Sequence, residues 1–310
     1  MIVLTVGRSY VDIDGYASSL AYRELLKILG IESKFVTHAT LNYSITNSLL
    51  QMPYKIDEYK INTDDKFIIL DLSNKEFFPD FVNENNVIEL IDHHSGFEEY
   101  WNDKTNTKSI IEPIGSVATI IVEKYEQNNL LNKMDKDIAK LLMAAILDNT
   151  LNFTAEITNE RDKSAYRKLQ VLSGEYNFAD TYFSECQNAV ENNLKDSIVN
   201  DLKHQKTNEY LPDTIGQLTI WDIDRLNNKL NTIKEIMNYD SKNWIINIIS
   251  LKDNTSYIMY SDSDVLQNAT KLFNCDYNDN YLMVKPAKLR KEIMKAALLK
   301  KEENSLKKYC

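Results

Sequence analysis

The sequence predicts an α/β protein, with an N-terminal, mainly parallel sheet covered by helices on both faces and a smaller C-terminal α/β domain. Three observations predict it. Short apolar runs rich in β-branched residues alternate with longer amphipathic stretches, as buried parallel strands alternate with crossover helices. The alternation lapses between residues 163 and 203 and restarts near Leu218. The 310 residues are enough for two domains and a sizeable core.

The elements follow in order. Residues 2–6 read as a strand and 16–29 as an amphipathic helix ended by Gly30. A strand is predicted over 34–37 and a helix over 41–50. Residues 67–72 and 86–91 are buried-strand patterns, and 110–112 form a short strand. Gly115-Ser116 opens a helix to about Asn129, and a second helix spans 137–147. The mostly helical stretch that follows supplies a connector. Strands at 218–221, 244–250, 256–260 and 281–284 then alternate with helices at 226–238, 265–273 and from Lys288 onward. The expected division is a catalytic domain over 1–185, a helical connector over 186–205 and a phosphate-binding α/β domain over 206–310.

Composition narrows the function classes. Hydrophobic residues make up 43% and charged residues 26%, ordinary values for a soluble protein. No run approaches the roughly 20 apolar residues that span a bilayer, and the start reads as a strand and not as a basic leader. Cys186, Cys275 and Cys310 are scattered, which suggests a reducing compartment and forms no zinc-type cluster. A cytoplasmic protein is expected. The net charge of −10 argues against generic nucleic-acid binding, while leaving room for an anion in a local basic pocket. With only 7 glycines there is no glycine-rich phosphate loop or dinucleotide fingerprint.

The chemistry gathers at strand ends. Asp92-His93-His94 follows the run over 86–91 and holds two of the four histidines. Neighbouring side chains on extended backbone point opposite ways, so one imidazole could face a metal and the other a substrate. The first strand leads into Gly7-Arg8-Ser9-Tyr10-Val11-Asp12-Ile13-Asp14-Gly15. On extended backbone Asp12 and Asp14 would point the same way and need a cation between them; Asp14 could equally be a helix N-cap. Asp71 ends another apolar strand, where an aspartate is often a loop or cap residue. Strand ends of one sheet lie side by side, so the set could converge on two divalent metals. Oxygen and imidazole ligands without thiolates favour manganese or magnesium, and such a pair can activate water and clamp a phosphoryl group under in-line attack.

This set resembles the DHH phosphoesterases, in the branch of family II inorganic pyrophosphatases, exopolyphosphatases and prune-type phosphoesterases. The stretch GRSYVDIDG is similar to the family's first motif, Asp71 to its second, and Asp92-His93-His94 to its signature. Glu112-Pro113-Ile114-Gly115-Ser116 matches the pyrophosphatase element E-P-x-G-S, and residues 145–151 resemble A-I-L-S-D-T-L. The resemblance implies Asp12, Asp14, Asp71 and His93 as ligands of Mn²⁺ or Mg²⁺, with Asp71 bridging two ions, or a single ion. It implies that His94 contacts substrate phosphate and that the C-terminal domain closes over the site with Lys203, Arg290 and Lys291. Read unaided, Lys288, Arg290 and Lys291 form a solvated helix face; arginine forks and lysine charges nevertheless suit phosphate.

Two departures stand out. Arg8 occupies the first-motif histidine and cannot ligate a metal; it would place a cation near one metal position or bind phosphate. Ungapped alignment puts Asn149 at the family's metal-binding aspartate, and Asp148 ranks ahead of it as the better divalent ligand. Ser116 and Asp92 are further candidates, Gly115-Ser116 as a phosphate-orienting helix start or simply a cap. His38, His204, Asp162 and the three tryptophans read as structural, with Asp162 exposed.

The first functional expectation is a metal-dependent hydrolase of phosphoanhydride bonds in small polyanions, and the missing histidine tilts it toward the exopolyphosphatase-like branch. The second is a degenerate regulatory module that binds phosphate compounds with weak or no catalysis. A nuclease or cyclic-dinucleotide phosphodiesterase ranks third. The partner implied is a small phosphate-containing anion, no membrane is involved, and a homodimer is compatible with the resemblance.

Overall fold

β-Branched and apolar runs form a five-stranded parallel sheet in the first half of the chain. The computed structural model describes residues 1–204, 210–273 and 275–307. They divide into two units, Met1–Tyr182 and Phe183–Cys310.

The first unit contains β1 (Ile2–Thr5), β2 (Tyr10–Val11), α1 (Ile13–Ile28), β3 (Ser33–Phe35), β4 (Thr40–Leu41), α2 (Asn47–Leu50), β5 (Lys66–Leu70) and β6 (Val87–Asp92). It continues with α3 (Glu98–Asn102), β7 (Lys108–Ile111), α4 (Val117–Gln127), α5 (Lys136–Asn149) and α6 (Glu160–Ser173). The main sheet runs β3-β1-β5-β6-β7, with every pairing parallel. The chain leaves β1 for β3 on one side and returns to β5 on the other. That reversal opens a crevice at the carboxyl ends of β1 and β5, where open α/β sheets bind ligands.

Both sheet faces are filled. Val3, Phe67, Ile69, Val87 and Trp101 pack into one apolar cluster, and α1 packs against α4 and α5. Trp101 is fully buried and donates its indole N–H to the Ser73 carbonyl at 2.7 Å. Glu89 is nearly buried on β6 and is matched by Lys124 at 2.8 Å and the Tyr22 hydroxyl at 2.5 Å. Such a pair is tolerated inside a protein because each charge finds its partner.

The helix predicted over 41–50 is confined to α2. Residues 40–41 instead pair with β2. Asn42 Oδ1 accepts from the Ser44 amide at 2.9 Å, and Ser44 Oγ accepts from the Ile13 amide at 2.9 Å. Such side-chain-to-backbone bonds compete with helix formation, and here they brace the entry to α1.

α7 (Phe178–Asn192) spans the unit boundary, and α8 (Leu194–Val199) follows it. The second unit continues with β8 (Lys203–His204), β9 (Thr214–Ile220), α9 (Leu230–Asp240), β10 (Trp244–Ser250), β11 (Thr255–Tyr260), α10 (Ser263–Thr270), β12 (Asp276–Tyr277), β13 (Leu282–Val284) and α11 (Arg290–Lys307). Its mixed sheet has the order β12-β13-β11-β10-β9-β8, with β10 buried along its whole length. Apolar clusters cover both faces. Trp244 is buried and Trp221 stacks on Phe183, so these tryptophans also serve packing. Among the described residues no helix is long and apolar enough to cross a membrane.

Candidate metal centre

Three segments at the carboxyl edge of the sheet deliver the polar groups. After β2, Asp12 caps α1, its Oδ1 accepting from the Gly15 amide at 3.0 Å. The cap is therefore Asp12, not Asp14. Asp12 also lines a cleft of about 440 Å³ with Asp71, Asp92 and His94, beside Tyr10, Leu72, Phe77 and Phe97.

Asp71 follows β5 with φ of 58°, a left-handed conformation that side-chain-bearing residues adopt at a cost of about 1–3 kcal/mol. The Asp71 amide is held by the Ile91 carbonyl at 2.9 Å. The turn aims a carboxylate at the edge of the crevice, and its buried Oδ1 accepts no hydrogen bond. Burial, then the charges of Asp12 and Asp14, push the Asp71 carboxyl well above the usual carboxylate range.

β6 ends at Asp92, so strand alternation does not extend through the two histidines. The expectation that their rings face opposite ways is corrected: the imidazoles lie 4.4 Å apart and both approach Asp71. His93 Nε2 is 3.4 Å and His94 Nδ1 3.8 Å from Asp71 Oδ1. His93 Nδ1 sits 2.9 Å from the Ile114 carbonyl. That acceptor calls for the proton on Nδ1 and leaves the Nε2 lone pair facing the carboxylate. Asp92 Oδ1 accepts from the His93 and His94 amides and lies 2.8 Å from His94 Nδ1. That contact raises the His94 pKa. Burial alone would lift Asp92, yet hydrogen bonds from His94 and Ser73 hold it below its ordinary value. Asp92 thus orients His94.

Asp71, His93 and His94 each offer one ligand atom within 4.8 Å of the others. A carboxylate oxygen without a donor and an imidazole lone pair, with the Asp12 carboxylate lining the same cleft, are groups whose chemistry fits a divalent cation of the manganese or magnesium type.

Asp14 has a different task from the one predicted. It lies inside α1, fully buried, where two-residue alternation does not apply. Its Oδ1 accepts from Ser18 Oγ at 3.1 Å, Ser116 Oγ at 2.9 Å and the Ala118 amide at 2.9 Å. Its Oδ2 accepts from the Val117 amide at 2.8 Å and Asn149 Nδ2 at 2.6 Å. Five donors fill a carboxylate with about four lone-pair sites, so no acceptor position is left for an ion. Burial raises its pKa, and the hydrogen bonds from Val117 and Ser116 oppose that rise. The phosphate-orienting reading of Ser116 is corrected for the same reason. The first amides of α4 go to Asp14, while Ser116 caps the helix.

At the end of α5 Asn149 reaches Asp14, while Asp148, ranked ahead of it as a ligand, has its Oδ1 accepting from the Tyr182 hydroxyl at 3.0 Å. Burial and the Asp12 charge push Asp148 up to about 7. Its folded pKa lies above the unfolded one, so its stabilising contribution is complete below about pH 4 and is lost as pH rises through about 7. Asp148→Asn should therefore unfold like the parent at pH 4 but resist urea better at pH 8, in EDTA. A displacement from 3.8 to about 7 corresponds to about 4 kcal/mol as an upper bound. Equal urea midpoints for the two proteins at pH 8 would contradict this.

Asp162, expected to be exposed, is fully buried. It accepts from the Asn159 amide at 3.0 Å, the Gly115 amide at 3.1 Å and Thr119 Oγ1 at 2.7 Å. The spacing Asn159-x-x-Asp162 is a capping-box signal, but its links to Gly115 and Thr119 come from tertiary packing. Sequence reasoning also missed the Ile114 carbonyl and Tyr182.

Each predicted cation has its own surroundings. Arg8, expected near a metal position, is about half exposed and pairs with Asp80 at 3.2 Å; it does not line the cleft. In the second unit, Lys203 is exposed on β8. Arg290 is mostly buried, its Nη1 2.6 Å from both the Asp201 carbonyl and Oδ2 and its Nη2 3.2 Å from Oδ1. The Lys291 side chain lies outside the described residues.

The family profile "DHH family, N-terminal domain" matches residues 2–146. A probable manganese-dependent inorganic pyrophosphatase of Bacillus licheniformis is 29% identical over 176 residues, covering 56% of this chain and 55% of that protein. The chain spans about half the length of the curated relatives it matches first. In structure, it resembles a Methanococcus jannaschii protein described as a candidate family II inorganic pyrophosphatase. The TM-score is 0.58 and the identity 20%, over 96% of this chain and 99% of the other. An exopolyphosphatase-related protein of Bacteroides fragilis gives 0.53 and 16%, over 99% and 92%. These two likenesses show the α/β fold. Residues 2–146 thus match the DHH family model, and the relatives this chain is similar to are described as probable manganese-dependent inorganic pyrophosphatases.

Proposed function

We propose that this chain is a divalent-metal-dependent hydrolase of phosphoanhydride bonds in small polyanions, such as pyrophosphate or the end of a polyphosphate. The observation that carries the reading is the donor-free Asp71 Oδ1 facing the His93 Nε2 lone pair, with His94 beside both. A bound Mn²⁺ would supply Lewis acidity toward phosphoryl oxygens and acidify water. Asp71, His93 and Asp12 would hold it. His94, charged more readily because of Asp92, would donate a hydrogen bond to a phosphoryl oxygen and stabilise charge developing there. The second unit would bind phosphate through Lys203, Lys291 and Arg290, the last exchanging its Asp201 carboxylate for a phosphate oxygen pair.

The test is phosphate release from pyrophosphate, tripolyphosphate and longer chains with Mn²⁺ or Mg²⁺. Metal-dependent release, lost in His93→Ala, is the expected result. Binding of these anions without turnover would overturn the hydrolase reading. It would favour a regulatory module, a reading supported by the diversion of Asp14 and Arg8 to protein partners.

A further inference from the structure

We propose that the Asn149 amide takes the place of a second cation, so that the centre holds one divalent ion and Asn149 sets that number. The inference rests on the metal-centre reading above and adds the ion count and the residue responsible.

The argument begins with charge. Asp14 is fully buried, and a buried carboxylate needs hydrogen bonds or a counter-charge. Two hydroxyls, two α4 amides and the Asn149 amide meet that need. Asn149 is the donor that binds Oδ2 from the far side of the sequence, at 2.6 Å and 135 residues away. His93 Nε2 stands 4.0 Å from the same oxygen, so the Asn149 amide occupies Asp14 Oδ2 beside the imidazole that faces Asp71. With the amide bound there, Oδ2 has no lone pair directed at a metal. Asp71 differs: its Oδ1 is buried, accepts no hydrogen bond and faces two imidazoles. Within one small volume, one carboxylate is saturated by neutral donors and its neighbour is left for a cation.

An aspartate at 149 would reverse this. Two carboxylates about 3 Å apart in a buried site cannot both stay ionised unless a proton or a cation separates them. The asparagine removes both the repulsion and the ligand.

The experiment is Mn²⁺ titration of the full chain by calorimetry, with electron paramagnetic resonance of the loaded protein. One Mn²⁺ per chain and an uncoupled signal are expected for the parent. In Asn149→Asp, two ions per chain and an exchange-coupled signal are expected, together with a larger Mn²⁺-induced rise in melting temperature. Two ions in the parent, or one ion in a folded Asn149→Asp protein, would overturn the inference. No bound ion in either protein would instead overturn the metal centre itself, and this inference with it. If Asn149→Asp folds only when refolded with Mn²⁺, its ion count after refolding is decisive in the same way. Asn149→Ala, which removes the amide without adding a ligand, should remain at one ion.

Discussion

Asp71→Asn is expected to abolish Mn²⁺ binding and to lower metal-dependent phosphate release by at least about 100-fold, while making the metal-free protein more resistant to denaturant at pH 8. The substitution isolates charge from backbone, because asparagine tolerates the left-handed conformation that Asp71 adopts. Burial and the neighbouring carboxylates raise the folded pKa of Asp71 above its unfolded value. Its stabilising contribution is thus present at low pH and lost as pH rises through the folded pKa. A neutral amide carries no such penalty, which gives the metal-free gain. With metal the sign reverses. An ion that binds only the folded state stabilises by about 4 kcal/mol at a thousandfold excess over Kd, and the variant forfeits that increment. Melting curves with EDTA and with Mn²⁺, alongside phosphate-release assays, check both halves. A variant that kept the full Mn²⁺ shift would show that Asp71 is not a ligand.

Gly115→Ala should cost about 2–4 kcal/mol of stability, through overpacking and the loss of buried hydrogen bonds. A Cβ at position 115 would lie 2.6 Å from Thr150 Cγ2 and 2.7 Å from Asp162 Oδ2. Neither neighbour can yield cheaply. Thr150 is fully buried and its hydroxyl is bonded to the Ile146 carbonyl at 2.5 Å. Asp162 holds the Gly115 amide, Thr119 and its own helix cap together. The damage would spread to the site, because Gly115 lies between the carbonyl that fixes His93 and the serine that binds Asp14. Urea midpoints would reveal the loss, and an unchanged midpoint would mean that the α4 entry relaxes freely. Glycine is required here for space, since its backbone is not left-handed.

Much of the fold was legible because its strands are short apolar runs with few alternatives. Residues 67–72 and 86–91 could hardly be anything but buried strands, and both form there. The stretch over 41–50 misled because its helical spacing is outweighed by the Asn42 and Ser44 side chains, which bond the backbone and the start of α1. The same limit governs the site. Motif spacing brought Asp12, Asp71, His93 and His94 to notice, and the structure gathers them at one sheet edge. Spacing could not tell that Asp14 would be surrounded by donors from α4 and α5, or that Arg8 would turn outward to Asp80.

The sequence by itself determined which residue types stand at the strand ends, and so the class of chemistry the edge of the sheet can support. Tertiary structure alone decided how each carboxylate is used. Asp14, Asp71, Asp148 and Asp162 are chemically identical aspartates, yet one is saturated by amides and hydroxyls, one is left without a donor, one is raised to about 7, and one braces a glycine. The difference lies in burial and in donors contributed from segments more than a hundred residues away in the case of Asp14, which linear order does not encode locally.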